Sequence, residues 1–322
     1  MISRHIAAML LFIVLLLPLV TARQACAETS VEVNITRAVD YLVSRFNPAL
    51  DLIYESDDTG DHWLGHEFSG FKWRYRQTYW LYSDNLFAAY ALEPFRLDVA
   101  NRIRSALDKY RIPSSGLFEV VVGEPIPTIT NAVDHIVESS SDYVIVARRH
   151  DSPIISYGLY ADLICYRSLQ LFLQGRTHEA CHSLRQAISL WNGRGLDDWS
   201  YRVVDGFYSN QKLALLLYTS KVLGLRFATY AEMEHHLWSM QQGDGGLASL
   251  SNPEGKPMGS SNTETTALAL LIYNDALIRS VRSRVRAFDK SFLGFYVILF
   301  AFLLVTAVSF LPFRRISSLR LA

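Results

Sequence analysis

The sequence predicts an all-α fold, an α/α toroid or an open arc of about four helical hairpins, with room for a small β-hairpin insertion. Three observations predict it. Between Glu28 and Lys290 strand-like alternation is scarce, while apolar residues recur with helical period over 33–46, 77–93, 97–110, 156–173, 176–191, 207–223, 228–241 and 263–281. The connections inside successive helix pairs resemble one another: "LDLIYES" at 50–56, "SGLFEV" at 115–120, "RGLDDW" at 194–199 and "GGLASL" at 245–250. In each, a glycine or polar residue turns the chain and a leucine tucks back, as in a helix C-cap with its hydrophobic contact. Finally, the second helices start alike, at Tyr82-Ser83-Asp84, Tyr160-Ala161-Asp162, Tyr208-Ser209-Asn210 and Asn262-Thr263-Glu264. Stacking such hairpins buries the apolar helices and leaves mixed ones such as "RLDVANRIRSALDKY" outside.

Along the chain, Arg4 and His5 precede an apolar run from Ile6 to Val20, and Ala25-Cys26-Ala27 is a small-x-small cleavage site. Residues 1–27 therefore read as a signal peptide. The body, 28–281, begins with a glycosylation sequon at Asn34-Ile35-Thr36. In "DHWLGHE", His62 and His66 stand four apart and form a weak candidate metal pair, although Gly65 argues against a helix there. Asp84 shares a helical face with Trp80, Phe87, Ala88 and Ala91, which puts a carboxylate on an apolar stripe. The alternative is that Ser83 or Asp84 caps a helix. Residues 116–155 form an insertion in which "LFEVVVGE" and "DYVIVARR" have β-rich composition and pair as a flap over one end of the helices. Cys165 and Cys181 are either a disulfide or two buried small hydrophobes. Ser261-x-x-Glu264 has capping-box spacing. A basic juxtamembrane stretch follows at 282–290. The uncharged segment Ser291–Phe313 is long enough to cross a membrane, leaving a tail at 314–322 with Arg314, Arg315 and Arg320. This predicts a single-pass protein of the cell membrane with its N-terminal domain extracytoplasmic.

Formal net charge is zero and pI is near 7.1, so there is no electrostatic footprint for nucleic acid. No cofactor motif is present in the sequence.

The segment "HHLWSMQQGDGGLASL" followed by "NTETTALALLIY", within 236–273, resembles the QW-type repeat of the prenyltransferase and terpenoid-cyclase superfamily. Leu237 and Gln241 to Gly246 match that repeat, with Leu247 in place of its tryptophan. The resemblance implies an α/α toroid. It also aligns "ESDDT" at 55–59 with the family's acid element D-x-D-D-T, Glu55 replacing the first aspartate. The thioester and zinc-ligand sets of other family branches are missing.

Polar residues at the inner-helix starts would ring one mouth. The candidate catalytic acids are Asp84, Asp198, Asp205, Asp244 and Glu264. Candidate ligand contacts are Trp73, Tyr79, Trp80, Tyr82, Tyr160, Asp162, Tyr208 and Asn210. Aromatic faces beside carboxylates suit sugar rings, and paired carboxylates suit glycoside hydrolysis or elimination. The leading expectation is an extracytoplasmic protein binding a ligand, with a cell-surface glycan as the first candidate and hydrolase or lyase activity as the candidate chemistry. The alternatives are a non-catalytic scaffold for another surface protein, in which Asp84, Asp162, Asn210 and Glu264 are helix caps, and an isoprenoid-type enzyme.

Overall fold

A computed structural model describes residues 34–56, 77–110 and 114–285, without the side chains of 204 and 205. The expected signal peptide, His62, His66, Trp73, residues 286–290 of the basic stretch, and the membrane-spanning and tail segments lie outside these residues; the first part of the basic stretch instead belongs to the folded body, Arg282 Nε donating to Val222 O at 2.9 Å and Arg284 Nη1 to Gly123 O at 2.6 Å. Among those described, no helix is long and apolar enough to cross a membrane.

The all-α expectation is wrong. The fold is mixed, 51% helical and 20% strand, with three sheets. In chain order it runs α1 (34–44), β1 (Phe46–Asn47), β2 (Leu52–Ile53), β3 (Gln77–Trp80), α2 (Phe87–Leu92), α3 (Leu97–Tyr110), β4 (Thr130–Ser139) and β5 (Tyr143–Pro153). It continues with α4 (Ala161–Leu173), α5 (Thr177–Ile188), β6 (Tyr208–Ser209), α6 (Asn210–Leu223), α7 (Tyr230–Ser239), β7 (Leu247–Ser251), β8 (Pro257–Asn262), α8 (Thr263–Leu271) and α9 (275–285).

The helices follow the apolar periodicity. α2, α8, α6 and α4 pack side by side in that order, with α3 against α2, α5 against α4 and α6, and α7 against α6. In α6, Leu215, Leu216, Leu217 and Tyr218 are consecutive and all inaccessible, as expected of an inner helix buried all round. On the outer helix α3 only Val99, Ala100, Ile103, Ala106 and Leu107 are buried, a single stripe. Phe118 closes the core: its ring meets Phe87 edge-on at 5.8 Å, Tyr166 edge-on at 5.8 Å and Tyr82 stacked at 6.5 Å.

The sheets arise where the sequence read helix, loop or flap. Residues 77–80, "QTYW", are β-branched or aromatic in part and run as a strand parallel to β5, with Gln77 opposite Tyr143 and Trp80 opposite Val146. The insertion does hold a hairpin, but its first strand is β4, antiparallel to β5. "FEVVV" is instead a single 3-10 turn, Phe118–Val122, fixed because Glu119 accepts from Ser115 Oγ at 2.6 Å. β6, β7 and β8 form a second three-stranded sheet from serine-rich segments with little local strand preference.

The Gln241–Gly246 stretch is a tight structural turn. Gln241 Nε2 donates to Gly245 O and Asn34 O, both at 2.8 Å, tying α1 to the β7 entrance. Gly245 has φ +94, and a Cβ there would stand 2.4 Å from Arg37 O, so only glycine fits.

Candidate functional site

α4, α6 and α8 start at a common end. Ser209 Oγ accepts from Lys212 N at 3.4 Å to cap α6, and Asn262 Oδ1 accepts from Thr265 N at 3.0 Å to cap α8. Tyr160 occupies the equivalent place before α4 without a side-chain cap. Glu264 is therefore no capping-box member, since Ser261 Oγ donates to Asp244 at 2.6 Å instead. Counting from these caps, Asp162, Gln211 and Glu264 are each the second residue of their helix. Asn210, the sequence-based counterpart, is one position early: buried, it donates to Ala248 O at 2.9 Å and accepts from Ser251 Oγ at 3.2 Å, holding β7.

Asp84 reaches the same end by another route. Residues Leu81–Leu86 form a π-helical turn, pinned by Asn85, whose amide donates to Ile53 O at 2.9 Å and Trp80 O at 2.8 Å and accepts from Ile53 N at 2.7 Å. π-Helical turns of this kind re-aim side chains. Asp84 caps nothing. It is 1% exposed; Oδ1 accepts from Ser83 Oγ at 3.3 Å, and Oδ2 has no hydrogen-bond partner.

Burial pushes the Asp84 carboxyl well above the ordinary carboxylate range, and the nearby charges of Glu55 and Glu264 push it further. Glu264 accepts from Gln211 Nε2 at 2.6 Å. Burial raises it to about 7, with Arg148 opposing the rise and Glu55 and Asp162 adding to it. Glu55, the first residue of "ESDDT", is also raised by burial; it accepts from Trp80 Nε1 at 2.8 Å and Asn262 Nδ2 at 3.4 Å. Arg148, carried in by β5, lies 4.9 Å from the Trp80 ring and 5.3 Å from that of Phe118, and its Nε donates to Asp134 at 3.0 Å. The hydroxyl of Tyr166, a residue only 2% exposed, also lacks a partner and senses Glu264 and Asp162. Three helix N-termini point their positive ends at this cluster and favour charged carboxylates, against the burial that favours neutral ones.

Beside the cluster lies a buried ion pair. Lys212 Nζ donates to Asp198 Oδ2 at 2.6 Å and Ser200 Oγ at 2.8 Å, and stands 3.8 Å from Asp162 Oδ1. Asp198 also accepts from Ala161 N at 3.1 Å and Tyr201 N at 3.2 Å, so it joins α4 to the π-helical turn Ser200–Asp205.

Of the acids named from sequence, the structure brings Asp84, Glu264 and Asp162 together, with Asp198 adjoining through Lys212. Asp244 stands apart: it accepts from Ser261 Oγ, Gly246 N at 3.0 Å and Arg45 Nη2 at 3.4 Å, and so fixes the turn before β7. The side chain of Asp205 lies outside the described residues. Among the aromatics, Trp80 and Tyr160 border the cluster, Tyr160 with its ring 5.4 Å from Lys212 Nζ. Tyr82 is buried against Phe118. Tyr79 is wholly buried, its hydroxyl donating to Gln77 at 2.7 Å and accepting from Asn47 at 2.9 Å. Tyr208 is buried and stacked on Tyr201 at 4.0 Å. These last two are packing residues. Sequence reasoning missed Arg148, Gln211 and Lys212 altogether, and placed Glu55 in a connection between helices. Counting from the caps Ser209 and Asn262 would have found Gln211.

Cys165, buried in α4, and Cys181 are not bonded to each other and stand as free thiols. Asn34 opens α1, half-buried, its carbonyl taken by Gln241. Among the described residues no three His, Cys, Asp or Glu side chains are arranged to hold a metal ion.

Comparison of the chain with protein-family models, with curated proteins and with solved structures gives no match.

Proposed function

We propose that the shared N-terminal end of α4, α6 and α8 binds a glycan and hydrolyses a glycosidic bond, with Asp84 as proton donor and Glu264 as base. The observation that carries this reading is the Asp84 carboxyl, 1% exposed, with Oδ2 unpartnered and Glu55 and Glu264 close enough to oppose its ionisation. Such a group holds its proton to higher pH than a solvated carboxylate does and can deliver it. As the bond from the anomeric carbon to the leaving oxygen breaks, the Asp84 proton passes to that oxygen. A water oxygen bonds to the anomeric carbon, and its proton passes to Glu264. Solvent then returns a proton to Asp84 and removes one from Glu264. A base titrating at about 7 suits that task, being partly ionised yet basic. The Trp80 and Tyr160 rings at the cluster edge offer apolar faces for a sugar, and Arg148 limits the build-up of negative charge.

The test is a glycoside hydrolysis screen of the full chain. Asp84→Asn lowers kcat on substrates with sugar leaving groups by about 10²- to 10⁴-fold, and much less on dinitrophenyl glycosides, whose leaving group needs no proton. Glu264→Gln slows both. Activity rises with pH through about 7 as Glu264 ionises. Absence of turnover on every glycoside, or turnover indifferent to Asp84→Asn, defeats the proposal.

A further inference from the structure

Seven large hydrophobic side chains are exposed among the described residues, and four of them border this end. Ile155 (95%) and Leu159 (45%) lie in the loop entering α4; Trp199 (41%) immediately precedes, and Val203 (59%) lies on, the π-helical turn Ser200–Asp205. The two segments are joined, because Trp199 N donates to Leu159 O at 2.9 Å. Scattered exposed apolar residues need no explanation, but several carried by two joined segments beside a polar site do.

The patch begins one residue from the site on both strands of chain. Leu159 precedes Tyr160, whose ring faces Lys212, and Trp199 follows Asp198, which holds Lys212 at 2.6 Å. A ligand that fills the acid cluster and continues outward on this side runs onto Leu159, Trp199 and Val203. An exposed indole at such a border suits the junction of a polar and an apolar moiety.

We infer that the substrate is a saccharide joined to a hydrocarbon chain, with the sugar at Asp84 and Glu264 and the chain along Leu159, Trp199 and Val203. This rests on the glycan reading above. The continuity of the patch with the acid cluster is what selects a tail of the same ligand over a separate protein partner.

The experiment is calorimetric binding to the full-length chain of cello-, malto- and chito-oligosaccharides, each as the free sugar and as its dodecyl glycoside below the micelle concentration. Dodecylphosphocholine serves as the tail-only control. The inference predicts that one sugar binds about tenfold or more tightly with its tail than without. It also predicts that Trp199→Ser with Val203→Ser brings that ratio toward one, and that Leu159→Ser alone lowers it. Circular dichroism checks that each variant folds; the replaced side chains are exposed, and the two variants are independent. Equal binding of free and tailed sugar, a ratio unmoved in the folded variants, or dodecylphosphocholine binding as tightly as the glycoside overturns the inference. Equal binding leaves the glycan reading standing, whereas no binding of any sugar in either form removes that reading and the inference with it.

Discussion

Replacing Glu264 by Gln should stabilise the protein at alkaline pH and leave it nearly unchanged at acid pH. Gln has the shape of a protonated Glu, and its carbonyl oxygen can still accept from Gln211 Nε2. Glu264 is raised from 4.5 to about 7 in the fold. Between those values the folded state holds a proton that the unfolded state has released, so folding stability falls as pH rises across the interval. At about 1.4 kcal/mol for each tenfold step in acidity, the loss amounts to at most about 3 kcal/mol once pH exceeds 7. Glutamine at 264 carries no charge to desolvate, and the variant escapes that loss. Urea denaturation at intervals from pH 4.5 to 8.5 measures it: the difference between Glu264→Gln and the parent starts near zero, grows in favour of the variant and levels off above 7. A difference independent of pH, or a variant less stable than the parent at pH 8, would mean that Glu264 is not raised in the fold.

Lys212→Met leaves Asp198 buried without its cation and should cost about 3–5 kcal/mol in urea unfolding, while adding Asp198→Asn recovers much of that loss. Gly245→Ala forces a Cβ toward Arg37 O at a left-handed φ and should lower stability by about 2 kcal/mol or more, read as a fall in Tm. Arg148→Met removes the charge that holds Glu264 down, so the midpoint of the Glu264-dependent stability change moves above 7. Alkylation without reductant should label Cys181 faster than Cys165 in the native protein and both equally in denaturant; resistance of both until reductant is added contradicts the free-thiol assignment.

The helices were legible because burial imposes a period that survives in a single sequence. The apolar stripe of α3 and the unbroken apolar run 213–217 of α6 both announce their layer. The strands were not legible for two distinct reasons. β7 and β8, "LASLS" and "PMGSSN", have weak local preference and exist through pairing across a turn and with β6, which periodicity cannot register. β3 was merged with the helix behind it, since an extended "QTYW" leads directly into the π-helical turn with no breaker between.

The site was half legible. Asp84, Asp162 and Glu264 were aligned from recurrent helix starts, and they do gather at one end. Asn210 was misplaced by one residue, and on a helix one residue is a rotation of about 100°, enough to turn a side chain from the cluster into the β7 sheet. Arg148 comes from a hairpin more than sixty residues from Asp84 in sequence, and no local pattern links the two. Glu55 falls in a helix connection, where nothing local announces burial. Its burial depends on the Trp80 indole and the start of α8 closing over it.

The most direct measurement is the infrared carbonyl stretch of protonated carboxyl groups at pH 6, where a solvated aspartate is ionised, taken as the difference between the parent protein and Asp84→Asn. A protonated-carboxyl band should be present in the parent and missing from the variant, shifted by its dry, singly bonded surroundings. Identical spectra in that region would mean that Asp84 is ionised in the fold, and the proposed proton donor would be gone.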